Sequence, residues 1–127
     1  MKTSELTGVA LDWAVAKCEG REAKNTSWGG WMTTWSNPQD DGALEYEKLP
    51  HYSTNWAQGG PIIEREGISV LHTTMRPSLA WEASHTPSEH LTVCEFGQTP
   101  LIAAMRCYVA SKLGDEIEVP EELWEEA

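Results

Sequence analysis

Positive charge is the first shortage. Nine lysines and arginines face twenty acids, for a net charge of −11 and a pI near 4.6. A field of that sign repels phosphate backbones and excludes general nucleic-acid binding. Long apolar runs are also missing: none approaches the ~20 residues of a membrane-spanning helix. No apolar stretch backs Lys2 as a secretory signal would require. Cysteine is sparse and odd in number. Cys18, Cys94 and Cys107 form no CxxC pair, so neither a disulfide framework nor a zinc knuckle is expected, and a reducing cytoplasm fits. Common catalytic motifs are absent as well, with no GxSxG elbow, P-loop or HExxH helix. Phenylalanine occurs once, against seven tryptophans.

What is present describes one globular domain. The chain has 127 residues, 40% of them hydrophobic and 23% charged, enough to bury a core without staples. Charge divides it unevenly. Residues 115–127 hold seven acids and no base, whereas residues 1–114 carry thirteen acids and nine bases. We therefore expect a folded unit over 1–114 and an acidic tail that is dispensable for folding.

Residues 4–18 read as an amphipathic helix, with Leu6, Val9, Ala10, Trp13 and Ala14 on one face and Thr3 or Ser4 as cap. Residues 21–50 are broken by Gly29-Gly30, Asn37-Pro38 and Asp40-Asp41-Gly42, which predicts a long Trp/Gly-rich loop with one short strand at 31–35. A broken helix is expected over 53–66. Gly59-Gly60-Pro61 interrupts it, and Pro61 opens the second piece. Runs at 68–73, 79–85 and 90–96 alternate as strands; the links Arg76-Pro77-Ser78 and Thr86-Pro87-Ser88 make them an antiparallel meander. The clearest helix is 99–113, opened by Thr99-Pro100 and closed by Gly114. Pro120 begins a short acidic turn through Trp124. These elements predict an α+β fold, a small antiparallel sheet layered with amphipathic N- and C-terminal helices.

Three blocks carry a resemblance. They are Thr3-Ser4-Glu5-Leu6-Thr7-Gly8-Val9-Ala10-Leu11-Asp12-Trp13-Ala14, Tyr52-Ser53-Thr54-Asn55-Trp56-Ala57-Gln58-Gly59-Gly60-Pro61-Ile62-Ile63-Glu64, and Thr99-Pro100-Leu101-Ile102-Ala103-Ala104-Met105-Arg106-Cys107-Tyr108. In that order they resemble the NinX-like phage accessory proteins, and the last two resemble the broader phage α-β-α sandwich domain. The resemblance implies a phage or prophage protein with a layered α/β fold, acting in the bacterial cytoplasm. It carries over no activity, because the family is one of unknown function.

Candidate site residues come from the sequence itself. A Gly59-Gly60 turn leading into a helix at Pro61 would present backbone N–H groups to an anion. Ser53 and Thr54 add hydroxyls, Arg65 a charge, and Tyr52 and Trp56 flat faces for a base or sugar. The alternative is that the glycines only kink the chain while Trp56 packs inside. Trp28, Trp31 and Trp35 either roof the core, line a pocket or form a homo-oligomer interface. Arg106, within the apolar last helix, either pairs with a carboxylate at its edge or points into a site. His85, His90 and Cys94 lie close in sequence, but their spacing matches no metal site, and no metal or cofactor is expected. The reading that follows is a non-enzymatic accessory protein that binds a small anionic ligand, such as a nucleotide, and counters a host function. The alternative is an acidic inhibitor that binds a host protein or mimics nucleic acid.

Overall fold

The central helix organises the molecule, a computed structural model that describes residues 1–36, 44–74 and 78–126. The elements run in this order: a 3-10 turn at Thr3–Glu5, α1 (Gly8–Cys18), β1 (Ala23–Thr26), β2 (Gly30–Ser36), β3 (Leu44–Lys48), α2 (Trp56–Glu66), β4 (Ser69–His72), β5 (Trp81–Ser88), β6 (Leu91–Gly97), α3 (Pro100–Leu113) and a 3-10 turn at Glu121–Glu126. The fold is α+β.

Helix α3 has the expected punctuation. The Thr99 hydroxyl accepts the Ile102 amide at 3.1 Å, Pro100 occupies the first turn, and Gly114 takes a positive φ at the end. Leu101 and every residue from Ala103 to Ala110 are buried, so the helix is covered nearly all round. Strands β5 and β6 pack on one side of it and α1 on another. The approach to β6 is close: a Cβ on Gly97 would lie 2.6 Å from the Ala103 nitrogen. Helix α1 thus stacks on α3 instead of directly on the meander.

The meander is as expected, in the antiparallel order β4-β5-β6. One turn is displaced. Pro87 lies inside β5, at a register shift between His85 and Ser88, where the ladder does not require its missing N–H. The chain reverses at Glu89-His90 instead. Residues 75–77, and with them the Arg76-Pro77 turn, lie outside the described residues, as do Asn37-Pro38 and Asp40-Asp41-Gly42.

Two expectations for the first fifty residues are corrected. The region 21–50 is not one irregular loop: β1, β2 and β3 form a second antiparallel sheet, with Lys24 opposite Met32 and Thr33 opposite Glu47. Ser27-Trp28-Gly29 is its hairpin turn, where the Thr26 hydroxyl accepts the Gly29 amide at 3.1 Å and donates to the carbonyl of Gly30, the first residue of β2, at 2.8 Å. Ala-Lys-Asn-Thr carries no apolar alternation, and Leu-Glu-Tyr-Glu-Lys alternates over only two apolar positions, so backbone pairing to β2 makes them strands where side-chain pattern is weak. The first helix begins at Gly8 rather than 4. Leu6, fully buried, sits in the link between the 3-10 turn and α1.

Helix α2 is continuous. Asn55 caps it by accepting the Ala57 amide at 2.9 Å, and Gly67 ends it at positive φ. Pro61 lies in its second turn and removes one hydrogen bond. Packing decides against the break. Ile62 is buried, and a Cβ at Gly59 would lie 2.2 Å from the Tyr52 carbonyl and 2.7 Å from Leu101 Cδ1.

The acidic segment after Gly114 belongs to the core. Ile117, Val119 and Leu123 are buried there, Leu123 completely. The amino terminus pairs with it: Met1 N donates to Ile117 O at 2.9 Å, Ile117 N returns to Met1 O at 3.0 Å, and Thr3 N reaches Asp115 O at 2.8 Å. Against the expectation that this tail is dispensable for folding, three of its four larger apolar residues, Ile117, Val119 and Leu123, are buried. No disulfide links the cysteines; burial pushes the Cys18 and Cys107 thiols up to about 12.

Candidate functional site

The sequence-derived site residues separate in space. Gly59 is interior to α2, and its amide donates to Asn55 O at 2.9 Å, so the glycine pair does not open a helix. Ser53, Thr54 and Trp56 line a small cavity of about 180 Å³ with Thr99, Leu101 and Ile102. Tyr52 and Arg65 line a different one, of about 390 Å³, with Glu19, Arg21, Glu47 and Gln58. Trp28 is exposed on the β1–β2 turn, edge-on to Tyr46 at 6.1 Å, while Trp31 packs half-buried against the core. The side chain of Trp35 lies outside the described residues.

Arg106 is an internal strut. Only 5% exposed, it donates from Nε to Leu6 O and from Nη1 to Phe96 O, each at 2.8 Å. It therefore ties the chain before α1 to the end of β6 through carbonyls, where a carboxylate partner or a site was expected. Burial lowers its pKa, opposed by the charge of Glu95. His85 and Cys94 fall on opposite faces of the meander, since Val93 is the residue opposite His85.

Arg65 is already occupied. It holds Glu19 bidentately at 3.0 and 2.8 Å, Glu66 through Nε at 3.0 Å, and the Tyr108 hydroxyl at 3.1 Å. Tyr108 donates to Glu19 at 2.6 Å. Burial pushes Glu19 up, but hydrogen bonds from Arg65 and Tyr108 outweigh it and hold the carboxyl below its usual range. Burial and the Glu19 bond both raise the Tyr108 phenol. This network joins α1, α2 and α3 and leaves Arg65 little donor capacity.

The sequence reading missed the more available charges. Lys17, in the last turn of α1, and Arg21, just past its Gly20 stop, line a cavity of about 430 Å³ with Trp13, Glu22, Ala23 and Pro120. Lys17 Nζ stands 5.4 Å from the Trp13 ring centre. Arg21 pairs with Glu47 through one nitrogen and also lines the Tyr52–Arg65 cavity, so it joins the two. The legible signal was Trp13 and Lys17 four positions apart on α1, followed by Arg21 just beyond the Gly20 stop. Ala23 and Pro120 continue the wall into a further cavity with Lys24, Asn25 and Trp31.

Trp31 also borders a fifth cavity, of about 280 Å³, with Val9, Asp12, Gly29, Lys48, Leu49 and His51. Asp12 is 3% exposed; its Oδ1 accepts the Ser53 amide at 2.8 Å, and Oδ2 lies 3.8 Å from His51 Nδ1. Burial raises its pKa, opposed by Ser53 and His51. Asp12 and Ser53 are 41 positions apart, so no local motif marks the pair.

Among the described residues no group of three His, Cys, Asp or Glu is placed to hold a metal, and no helix is long and apolar enough to cross a membrane. No curated protein matches the chain. A crystal structure of a phage protein from Bacillus cereus ATCC 14579 has the same fold, with a TM-score of 0.59 at 18% identity, covering 87% of this chain and 92% of that one. A family model described as Bacteriophage P22, NinX matches residues 2–112. From the three ordered sequence blocks, the α+β fold they build and this match, the chain belongs to the NinX family of phage proteins.

Proposed function

We propose that this protein is a non-enzymatic phage accessory protein that binds a small anionic ligand in the host cytoplasm and thereby counters a host function. Nucleotides are the first ligand class to test. One observation carries the reading: Lys17 and Arg21, two of only nine basic residues, border one cavity with the half-buried indole of Trp13, in a chain of net charge −11. The volume of about 430 Å³ suits a small ligand, since such sites span roughly 300–1,000 Å³. The guanidinium supplies planar donors for phosphate or carboxylate, the ammonium a mobile charge, and the indole a stacking face. The concentration of positive charge matters because the rest of the surface repels anions.

Calorimetric titration with mono-, di- and cyclic nucleotides tests this. Lys17→Ala, at an exposed position, should weaken binding about tenfold without moving the melting transition by more than a few degrees. Arg21→Ala should weaken it further. Native mass spectrometry reads the oligomeric state and any retained ligand in the same sample. No heat and no thermal shift with any nucleotide would remove this reading and favour an acidic protein-binding inhibitor.

A further inference from the structure

We infer that the cavity under Trp31 is a second binding site, selective for a planar heterocycle that presents adjacent N–H donors to Asp12 and carries an anionic group toward Lys48. A guanine nucleotide has that chemistry. The site is distinct from the Lys17–Arg21 groove and does not depend on it.

A buried carboxylate needs donors, and those that face Asp12 come from Ser53, through its amide and its hydroxyl, and from the His51 ring at longer range. Asp12 sits in the interior of α1, where helical amides are spent on backbone carbonyls. Its Oδ1 anchors the Ser53 amide, a task an asparagine oxygen would perform without burying a charge. The other oxygen borders the cavity, with the His51 ring nitrogen beyond hydrogen-bond length at 3.8 Å. Each carboxylate oxygen accepts two hydrogen bonds, so the pair retains capacity for two donors in a plane.

The rest of the wall defines the shape and polarity of the occupant. Trp31 is held in place because its carbonyl accepts the Leu49 amide at 3.0 Å, and its indole packs against the core. Val9 and Leu49 supply apolar surface. A flat ring stacked on the indole meets these requirements. Lys48 is exposed at the rim, as is the imidazole of His51. A positive rim above a buried negative floor disfavours a simple organic cation and favours a neutral donor edge with an anionic tail. Adenine offers one amino donor beside a ring acceptor, so its edge mismatches a carboxylate.

The test is calorimetry on the full chain with GMP, IMP and AMP. GMP should bind at this site in addition to the groove, IMP, which lacks the exocyclic amino group, should bind here about tenfold more weakly, and AMP should show the groove's binding alone. Asp12→Asn retains an oxygen for Ser53 and turns the second acceptor into a donor. It should abolish the GMP preference while the protein melts within a few degrees of wild type. Equal affinity for the three nucleotides, or an unchanged GMP affinity in Asp12→Asn, would overturn the inference. Binding lost in Lys17→Ala but kept in Asp12→Asn would assign the nucleotide to the groove alone and overturn it too.

Discussion

Gly59 and Gly60 are neighbours in one helix, and alanine at each should move stability in opposite directions. In a helix interior, alanine is favoured over glycine by roughly 0.5–1 kcal/mol, because the freer glycine backbone loses more entropy on folding. At Gly60 the following Pro61, whose ring crowds a Cβ on the residue before it, offsets part of that gain. Otherwise an added Cβ would meet only Trp56 Cε3, at 3.7 Å, an ordinary van der Waals distance. At Gly59 the Cβ would lie 2.2 Å from the Tyr52 carbonyl oxygen and 2.7 Å from Leu101 Cδ1. Leu101 can rotate, but the Tyr52 carbonyl is backbone, so α2 must move away from the loop before it. Overpacking of this kind costs about 1–3 kcal/mol, which exceeds the helical gain. A chain of this size changes its melting temperature by about 3–5 °C per kcal/mol. Gly60→Ala should therefore melt between the wild-type value and about 5 °C above it, and Gly59→Ala about 3–8 °C below wild type. Far-UV circular dichroism, with urea unfolding at fixed pH, reads both. A Gly59→Ala variant as stable as wild type, or a Gly60→Ala variant below it, would refute the packing account of the continuous helix. The same pair bears on the original anion-cradle idea, since neither amide opens onto a ligand when both lie within α2.

Two further outcomes follow from the core. Leu123→Ala empties a fully buried position and should cost about 2–5 kcal/mol; removal of everything after Gly114 should abolish cooperative unfolding, and a truncated chain with a wild-type urea midpoint would contradict the buried tail. Glu19→Gln weakens the Arg65–Tyr108 network, at about 1–3 kcal/mol near neutral pH. The folded-state pKa of Glu19 lies below its ordinary 4.5, so its stabilisation is complete above that pH and disappears as pH falls through the lowered value. Melting curves of wild type and variant should converge on acidification; a gap that stays constant down to the lowest pH at which both fold would refute the charge-based account.

Much was legible where local chemistry and packing agree. Thr99-Pro100 and Gly114 bound α3 because cap, first-turn proline and terminal glycine act within a few residues. The 68–96 meander follows from side-chain alternation, and the family from three ordered blocks. Tertiary structure decided the rest, for identifiable reasons. Pro61 and its glycines read as a break, but Gly59 is the contact that lets α2 lie against Tyr52 and Leu101. Strands β1 and β3 are set by pairing to β2, since Ala-Lys-Asn-Thr has no apolar period and Leu-Glu-Tyr-Glu-Lys alternates over only two apolar residues. Arg106 finds two carbonyls, one from a residue 100 positions away. Asp12 reads as the polar side of a helix until Ser53 and His51 are folded over it. Composition and period are short-range properties of the chain, whereas the candidate cavities are made of residues that only long-range packing brings together.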